Sequence, residues 1–279
     1  MDEKIHIEKN SVQETLIVPL YGRKMCAEKF PDLYTDISAK RLCEKLDYDF
    51  SALETKEDTF FYEFGALEAA MRQLDVIWEI KDYLRSHPRA CVVNLGCGLD
   101  QTGRACDNGS CQIINIDLPD IISVRNQLIP VGSREESIAC DLNDHSWMDQ
   151  VDDTNGTVFF AAGVFHYFRT EEVKRLALAL AKRYPGGRLV FDTVGKLGLK
   201  LMMSKILKNM GIDDINGYFY ISNPARDLDW SDHIRVTSKG YMLGYHDMRS
   251  DGIRFPHRLL AKIGDKWMKM AIHRMDFDR

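Results

Sequence analysis

One stretch of the chain decides the fold: Ala90-Cys91-Val92-Val93-Asn94-Leu95-Gly96-Cys97-Gly98. An apolar run rich in β-branched residues and followed at once by glycine is typical of a buried parallel strand that enters a tight turn. The two glycines let the backbone come close to a ligand, because they carry no side chain. In a doubly wound sheet such a turn faces the crevice where ligands bind. The stretch therefore predicts a strand followed by a ligand-binding turn.

Three further runs downstream have the same apolar character. They are Ile113-Ile114-Asn115-Ile116, Thr157-Val158-Phe159-Phe160-Ala161 and Arg188-Leu189-Val190-Phe191-Asp192, the last introduced by the turn Pro185-Gly186-Gly187. Between the last two runs, residues 170–184 have acids in the first turn, bases in the last, and Thr170 as the expected N-cap, which predicts a helix. Strands that alternate with helices imply an α/β fold, a doubly wound and mostly parallel sheet with helices on both faces.

The chain before the first strand has a different pattern. Residues 1–89 carry helical apolar spacing, clearest over 38–46 and 66–84, and no strand alternation. This segment is therefore predicted to form a helical cap on the core.

The core is predicted to span residues 90–279. A basic, Met-rich helix is expected over 196–210, at the start of a lid insertion that covers about 196–230. Late strands are expected over 234–237 and 267–273.

Composition limits the kinds of partner. The formal net charge of -5 argues against the basic face that a nucleic-acid footprint needs. No apolar run is long enough to span a bilayer, and the charged N-terminus has no apolar signal core behind it. The seven cysteines are odd in number and include no CxxC pair, so neither a metal site nor a disulfide framework is expected. We therefore expect a cytoplasmic protein whose partner is a small molecule.

Two carboxylates follow strand ends downstream of the glycine turn. Asp117 ends the second run, where a carboxylate can accept hydrogen bonds from both hydroxyls of a ribose. Asp141 follows a third strand end and could accept from an adenine amino group, with Leu142 packed on the ring. The alternative for Asp117 is a helix-capping or surface residue, and Asp141 read alone is more often a loop carboxylate, but their order after the turn favours binding. A dinucleotide-binding turn would also have a third glycine at position 101, where this chain has Gln101. Because that glycine permits close helix packing over a pyrophosphate, its absence favours a cofactor without phosphates.

These motifs, taken in order, resemble the leucine carboxyl methyltransferase family in its broad sense, which includes bacterial polyketide O-methyltransferase-like members. The similarity extends from about residue 15 to the C-terminus. The residues that carry it are Pro19-Leu20-Tyr21-Gly22-Arg23, Asn94-Leu95-Gly96-Cys97-Gly98-Leu99-Asp100, Asp117-Leu118-Pro119, Asp141-Leu142, Ala162-Gly163-Val164-Phe165-His166-Tyr167-Phe168 and Pro185-Gly186-Gly187. The resemblance implies a class I, Rossmann-like methyltransferase fold with S-adenosylmethionine as cofactor.

The resemblance also implies how the core binds that cofactor. Gly96 and Gly98 would pack against it, and Asp117 would bind the ribose. Asp141 and Leu142 would frame the adenine.

Basic residues of the cap would hold the methionine carboxylate of the cofactor. By its distance before the glycine turn, Arg72 matches one such residue of the family, and Arg23 matches another. Without the resemblance, Arg72 would be interpreted as a solvated arginine on an amphipathic helix.

The sequence departs from the family pattern at two places. The family continues its turn as Leu-Asp-Thr-Arg, whereas here residues 99–104 read Leu-Asp-Gln-Thr-Gly-Arg, which predicts a reshaped loop and a displaced Arg104. Ala162 stands along the expected cofactor site where leucine-directed members have Glu. Its presence argues against the C-terminal leucine of a protein as the substrate.

The segment Phe165-His166-Tyr167-Phe168 is predicted to lie beside the transferring methyl group. Aromatic rings there would favour a sulfonium cation through their π faces. His166 is the most attractive general base, since imidazole has an ordinary pKa near 6.5, and Tyr167 is its neighbour in the predicted catalytic segment. The alternative is a histidine that only lines the pocket or satisfies a hydrogen bond.

The sequence therefore predicts an S-adenosylmethionine-dependent O-methyltransferase that acts on a phenol, alcohol or carboxylate of a small molecule. Two other functions stay open at this point. One is a non-catalytic module that binds the same cofactor, and the other is a nicotinamide-dependent oxidoreductase.

Overall fold

The structure is a computed structural model that describes residues 4–8, 12–203, 217–249 and 252–278. Its strands are β1 (Ile5–His6), β2 (Leu46–Asp47), β3 (Cys91–Leu95), β4 (Gln112–Asp117), β5 (Glu135–Ala139), β6 (Thr157–Ala161), β7 (Arg188–Thr193), β8 (Ile234–Gly240) and β9 (Ala271–Phe277). Its α-helices are α1 (Ile17–Lys29), α2 (Ile37–Lys45), α3 (Ser51–Glu54), α4 (Phe60–Ser86), α5 (Thr102–Ala105), α6 (Pro119–Leu128), α7 (Thr170–Arg183), α8 (Lys196–Leu201), α9 (Pro224–Asp227) and α10 (Phe255–Ile263).

The core is one seven-stranded sheet in the order β5-β4-β3-β6-β7-β9-β8. The first five strands are parallel, and β9 runs antiparallel to both of its neighbours. The chain moves outward from β3 to β4 and then returns to place β6 on the other side of β3. The predicted doubly wound, mostly parallel α/β fold is confirmed, and the reversal of strand order places a ligand crevice beside β3.

Helices cover both faces of this sheet. Successive side chains of a strand point to opposite faces, so each strand packs against helices on both sides. Val92 of β3 belongs to an apolar cluster with α1 and α4, whereas Val93 belongs to a second cluster with α7. This burial on both faces explains why the strands read as continuous apolar runs.

The cap is mainly helical. Its longest helix, α4, has 27 residues and packs against α1, while the Asp36 side chain caps α2 by accepting from the Ala39 backbone N–H at 3.0 Å. The expectation of no strand before Ala90 is wrong in one detail, since β1 and β2 form a parallel pair. Strands of two residues are too short to show an alternating pattern.

Two other local predictions are corrected. Arg169, and not Thr170, is the N-cap of α7, and the Glu172 side chain accepts from the Arg169 backbone N–H at 2.7 Å. The last strand begins at Ala271 and not at Trp267, because Lys269 has a left-handed φ of 54° that interrupts the extended chain. Residues 264–268 instead form one π-helical turn.

The predicted lid falls partly outside the described residues. Helix α8 covers the start of the expected 196–210 helix, and residues 204–216 belong to the part that the structure leaves undescribed. Among the helices that it does describe, none has the length and apolar character needed to cross a membrane.

Candidate active site

A cavity of about 1260 Å³ lies at the carboxyl ends of β3, β4 and β6. Its walls come from α1 and α4 of the cap, from the turns after these strands, and from the region around α8 and α10. It is lined by all ten residues predicted to bind the cofactor or to act in catalysis: Arg23, Arg72, Gly96, Gly98, Asp117, Asp141, Leu142, Ala162, His166 and Tyr167. The structure therefore brings together residues that lie far apart in the sequence, at the place where doubly wound sheets bind ligands.

The turn after β3 requires glycine. Gly96 and Gly98 have φ angles of 68° and 45°, in the region that residues with a Cβ rarely adopt. A Cβ on Gly96 would also lie 2.7 Å from both methyl carbons of Val164. The backbone N–H groups of Gly96 and Cys97 donate to the Ile116 carbonyl at 2.8 and 2.9 Å, which ties the turn to β4.

Asp117 holds the same turn from the end of β4. Its Oδ2 accepts from the Gly98 backbone N–H at 2.7 Å, and its Oδ1 accepts from the Leu118 backbone N–H at 2.8 Å. Burial raises the pKa of this carboxyl above its ordinary value. Because a carboxylate oxygen has more than one lone pair, each can still accept a ribose hydroxyl.

Asp141 and Leu142 follow β5 on the wall of the cavity. The Asp141 side chain is exposed, and its Oδ1 accepts from the Asn143 backbone N–H at 2.9 Å, so it also orders its own loop. Leu142 is buried beside it. Their assignment to adenine stays a prediction.

Asp192, at the end of β7, is a residue that sequence reasoning did not place in the site. Its Oδ1 accepts from the Gly163 backbone N–H at 2.6 Å, and its Oδ2 lies 3.4 Å from Arg72 Nη1 and 3.3 Å from His166 Nε2. Burial alone would raise the pKa of Asp192, but the Arg72 charge and the His166 hydrogen bond hold that pKa well below its usual range. Its position at a strand end, like that of Asp117, was the available signal.

Gly163 provides the space that Arg72 occupies. Its φ is 74°, and a Cβ there would lie 3.0 Å from Arg72 Nη1 and 3.1 Å from Nη2. Arg72 thus reaches from α4 to the turn after β6 and lines the cavity. A guanidinium has five N–H donors, so the pair with Asp192 leaves others for a cofactor carboxylate.

Arg23 is the second predicted contact for that carboxylate. It is buried, its Nε donates to Asp36 Oδ2 at 3.1 Å, and its Nη2 lies 3.5 Å from the Leu99 carbonyl. Arg23 therefore links α1, the start of α2 and the loop after β3, and its contact with a cofactor stays a prediction.

His166 pairs with Asp192 through one ring nitrogen only. Its Nε2 faces the Asp192 carboxylate, and its Nδ1 has no hydrogen-bond partner in the described part of the chain. Since an ionised carboxylate only accepts, the contact assigns a proton to Nε2, and in the neutral ring the lone pair is then on Nδ1. The ring lines the cavity while Nδ1 itself is covered, so the ring must reorient before Nδ1 contacts an acceptor.

Phe165 does not line the cavity, so the prediction for the aromatic segment is wrong at this residue. Its ring is buried in the core, with centroids 5.3 Å from Phe191 and 6.4 Å from Phe219. Residues 165–167 form one 3-10 turn, which directs neighbouring side chains to different sides. The three residues that follow Phe165 do line the cavity, and burial raises the pKa of the Tyr167 hydroxyl, which therefore stays protonated.

The altered loop after the glycine turn is held by an arginine that sequence reasoning missed. Arg104 lies at the edge of the sheet, where its Nε donates to Glu135 Oε2 at 2.7 Å. Arg125 of α6 is buried instead, and its Nη1 donates to the Gly98 and Asp100 carbonyls, each at 2.7 Å. No local motif marks Arg125, because the carbonyls that it binds belong to a distant loop.

Cys97 is a small, buried residue of the turn. Burial raises the pKa of its thiol to about 12, so the thiol stays protonated. Over the residues that the structure describes, all seven cysteines are free and no cluster of metal-ligating side chains occurs.

Two solved structures share this fold over nearly the whole chain. One, described as a methyltransferase from Thermobifida fusca, has a TM-score of 0.57 at 13% identity and covers 96% of this chain and 100% of that one. The other, the plantazolicin methyltransferase BpumL in complex with SAH, has a TM-score of 0.51 at 13% identity and covers 96% and 99%. At such identities the similarity shows the fold alone, which is that of class I methyltransferases.

A family model gives the narrower assignment. Residues 24–181, more than half of the chain, match the leucine carboxyl methyltransferase model, and the chain belongs to this family. TcmP of Streptomyces glaucescens, a tetracenomycin polyketide synthesis O-methyltransferase, is 29% identical over 190 residues, which are 67% of this chain and 68% of TcmP. The predicted family and its S-adenosylmethionine dependence are thus confirmed, and a nicotinamide oxidoreductase is excluded.

The cavity residues fit this cofactor. The glycine turn gives close backbone approach, Asp117 offers two acceptors beside it, and Arg72 offers donors for a carboxylate. The individual contacts of these residues with the cofactor stay predictions, and two of them are tested as follows.

Replacing Asp117 by alanine is expected to weaken S-adenosylhomocysteine binding by about 1.5–3 kcal/mol, the range for hydrogen bonds to a charged group. The loss has two sources, the ribose contact and the Gly98 N–H that anchors the turn. Isothermal titration would measure it, with the exposed Asp120, which does not line the cavity, changed to alanine as the matched control. An unchanged dissociation constant in a folded Asp117→Ala protein would remove Asp117 from the site.

Replacing Arg72 by alanine is expected to weaken S-adenosylmethionine far more than adenosine, because adenosine lacks the methionine carboxylate. Arg72→Lys should recover only part of the loss, since lysine keeps the charge but not the bidentate geometry. Parallel titrations with both ligands would measure the difference. Equal losses for the two ligands would show that Arg72 acts on the structure of the cavity and not on the carboxylate.

Proposed function

We propose that this methyltransferase acts on a hydroxyl oxygen of a small molecule, with His166 as the general base. The observation that carries the proposal is the His166–Asp192 pair in the cavity wall, in which Nδ1 has no protein partner within the described residues. A buried polar atom without a partner costs free energy, and this one belongs to a side chain that lines the cavity, where a bound acceptor can supply the partner. The description of TcmP as an O-methyltransferase supports the same accepting atom.

The chemistry requires a nucleophile and a destination for its proton. When bound, S-adenosylmethionine supplies a methyl group on a positively charged sulfur. A neutral hydroxyl is a weak nucleophile, so loss of its proton must accompany formation of the oxygen–carbon bond while the carbon–sulfur bond breaks. His166 Nδ1 takes that proton, and the ionised Asp192 stabilises the resulting imidazolium through Nε2.

The rest of the cavity supports a mainly apolar acceptor. Beyond the predicted cofactor residues, the wall includes an apolar set from α8, α10 and the π-helical turn: Leu201, Met202, Leu260, Ile263, Met268 and Met270. Methionine side chains adapt their shape to irregular ligands. Such a wall also excludes water from the reacting atoms.

A small-molecule acceptor is favoured over a protein C-terminus. Ala162 lines the cavity where leucine-directed members of the family have Glu. Together with the net charge of -5, this supports a small organic partner and gives no support for nucleic acid.

The test uses the full-length protein with labelled S-adenosylmethionine and matched aromatic acceptors, a series of naphthols and the corresponding naphthoic acids. We expect binding of S-adenosylhomocysteine by titration and methyl ethers as products. If methyl esters of the naphthoic acids are the only products, the proposal that a hydroxyl oxygen accepts the methyl group is contradicted. Cofactor binding without transfer to any member of the series would favour the non-catalytic module.

A further inference from the structure

A carboxyl group that the proposed mechanism does not use faces the same cavity. Glu68 of α4 precedes Arg72 by one helical turn and lines the cavity. Its Oε1 accepts from the Tyr241 hydroxyl at 2.9 Å, and Tyr241 is buried at the end of β8. In the part of the chain that the structure describes, the Glu68 side chain has no other hydrogen bond and no salt bridge.

Burying the Glu68 carboxyl without a ligand costs free energy, because its surroundings stabilise it only in part. Burial raises its pKa above the ordinary value, and the Arg72 charge and the Tyr241 hydroxyl offset this only in part. Arg72 forms its ion pair with Asp192 and not with Glu68. A carboxyl of this kind at a cavity wall is typical of a site where a bound molecule donates the missing hydrogen bond.

When Glu68 is ionised, the charges that the structure describes at the acceptor end of the cavity are acidic on balance. Glu68 and Asp192 are carboxyl groups, and Arg72, the cation between them, is predicted to bind the cofactor carboxylate. Lys56 also lines the cavity, but its Nζ lies over the Tyr62 ring, 5.7 Å from the centroid. In the described part of the wall, the remaining cation is Arg23, which is paired with Asp36, so an acceptor with a carboxylate beside the reacting oxygen would meet an ionised Glu68 without a free cation beside it.

We propose that Glu68 determines acceptor specificity by accepting a hydrogen bond from the acceptor and repelling carboxylates. The acceptor class is an uncharged molecule with an apolar body and a hydrogen-bond donor, a hydroxyl or an amine, next to the oxygen that is methylated. This inference rests on the proposed hydroxyl methylation and adds the chemical class that the site selects.

Binding measurements separate this inference from the reaction itself. The complex of the full-length protein with S-adenosylhomocysteine is titrated calorimetrically, at mildly alkaline pH, with a dihydroxynaphthalene and with a hydroxynaphthoic acid of the same substitution pattern. The wild-type protein is expected to prefer the diol by roughly tenfold or more, the equivalent of one hydrogen bond to a charged group. Glu68→Gln is isosteric, keeps an acceptor for Tyr241 and removes the charge, so the diol should bind more weakly and the acid more tightly.

The controls distinguish a change in acceptor selectivity from a general disturbance of the cavity. Glu68→Gln should leave S-adenosylhomocysteine affinity unchanged, and Tyr241→Phe should keep the preference for the diol because the carboxylate remains. The same diol-to-acid ratio in wild type and Glu68→Gln, a parallel loss of cofactor affinity, or no binding of the diol to the wild-type complex would overturn the inference. Selective binding of the diol without its methylation would support Glu68 as the selector and contradict the proposed reaction.

Discussion

Replacing His166 by glutamine is expected to lower turnover of a phenolic acceptor by about 10²–10⁴-fold, the range for loss of a general base. The physical reason is the loss of the Nδ1 lone pair, which the Asp192 carboxylate keeps free of a proton by accepting from Nε2. Affinity for S-adenosylhomocysteine should change little, because His166 is predicted to act on the acceptor. Steady-state kinetics and titration of the same preparation would measure both quantities.

A control variant and two contrary outcomes decide the role of His166. His145→Gln is the matched control, since His145 does not line the cavity. A His166→Gln protein with wild-type turnover and wild-type acceptor affinity would leave His166 as part of the wall. A loss of acceptor affinity alone would indicate an acceptor that is already ionised.

Replacing Asp192 by asparagine is expected to lower turnover by roughly 10²–10⁴-fold, because Asp192 positions the base. If the side-chain oxygen of the introduced asparagine accepts from the Gly163 backbone N–H, the side-chain nitrogen faces His166 Nε2 and donates to it. The ring must then carry its proton on Nδ1, which becomes a donor and can no longer accept the hydroxyl proton. The substitution thus selects the wrong tautomer with little change in size.

A double variant tests whether Asp192 acts through His166. If it does, His166→Gln combined with Asp192→Asn should be no slower than the slower single variant, because both remove the same step. Multiplied losses would mean that the two residues act separately. The Asp192→Asn protein should also keep its cofactor affinity, since Arg72 loses a competitor for its donors; a large fall in that affinity would assign Asp192 to the cofactor site.

The free energy of unfolding at acid pH is expected to depend on the Asp192 carboxylate. The pKa of Asp192 is held below its ordinary value in the folded protein, so its contribution to the free energy of unfolding is complete above the ordinary pKa of an aspartate. That contribution is lost as the pH falls through the lowered pKa. Its source is the Arg72 charge and the His166 hydrogen bond, which together outweigh the burial of the carboxylate.

The sequence by itself determined the parallel strands, the turn after β3 and the position of Asp117 beside that turn. Strand periodicity and glycine conformation are local properties, so β3 and the turn at Gly96 could be predicted from adjacent residues. Asp117 could be placed because the carboxyl ends of parallel strands meet at one edge of the sheet. The boundaries of β9 could not be placed, since the alternating pattern continues across Lys269, whose left-handed backbone ends it.

Only the tertiary structure decided the acceptor end. Arg72 and Asp192 are separated by 120 residues, and Glu68 and Tyr241 by 173, so no spacing in the sequence joins them. Whether a side chain faces the cavity also depends on packing: the 3-10 turn after β6 places His166 on the wall and buries Phe165 behind it. Local patterns set where a strand ends and which residue follows it, whereas the partner of a buried charge is set by elements that meet only when the chain has folded.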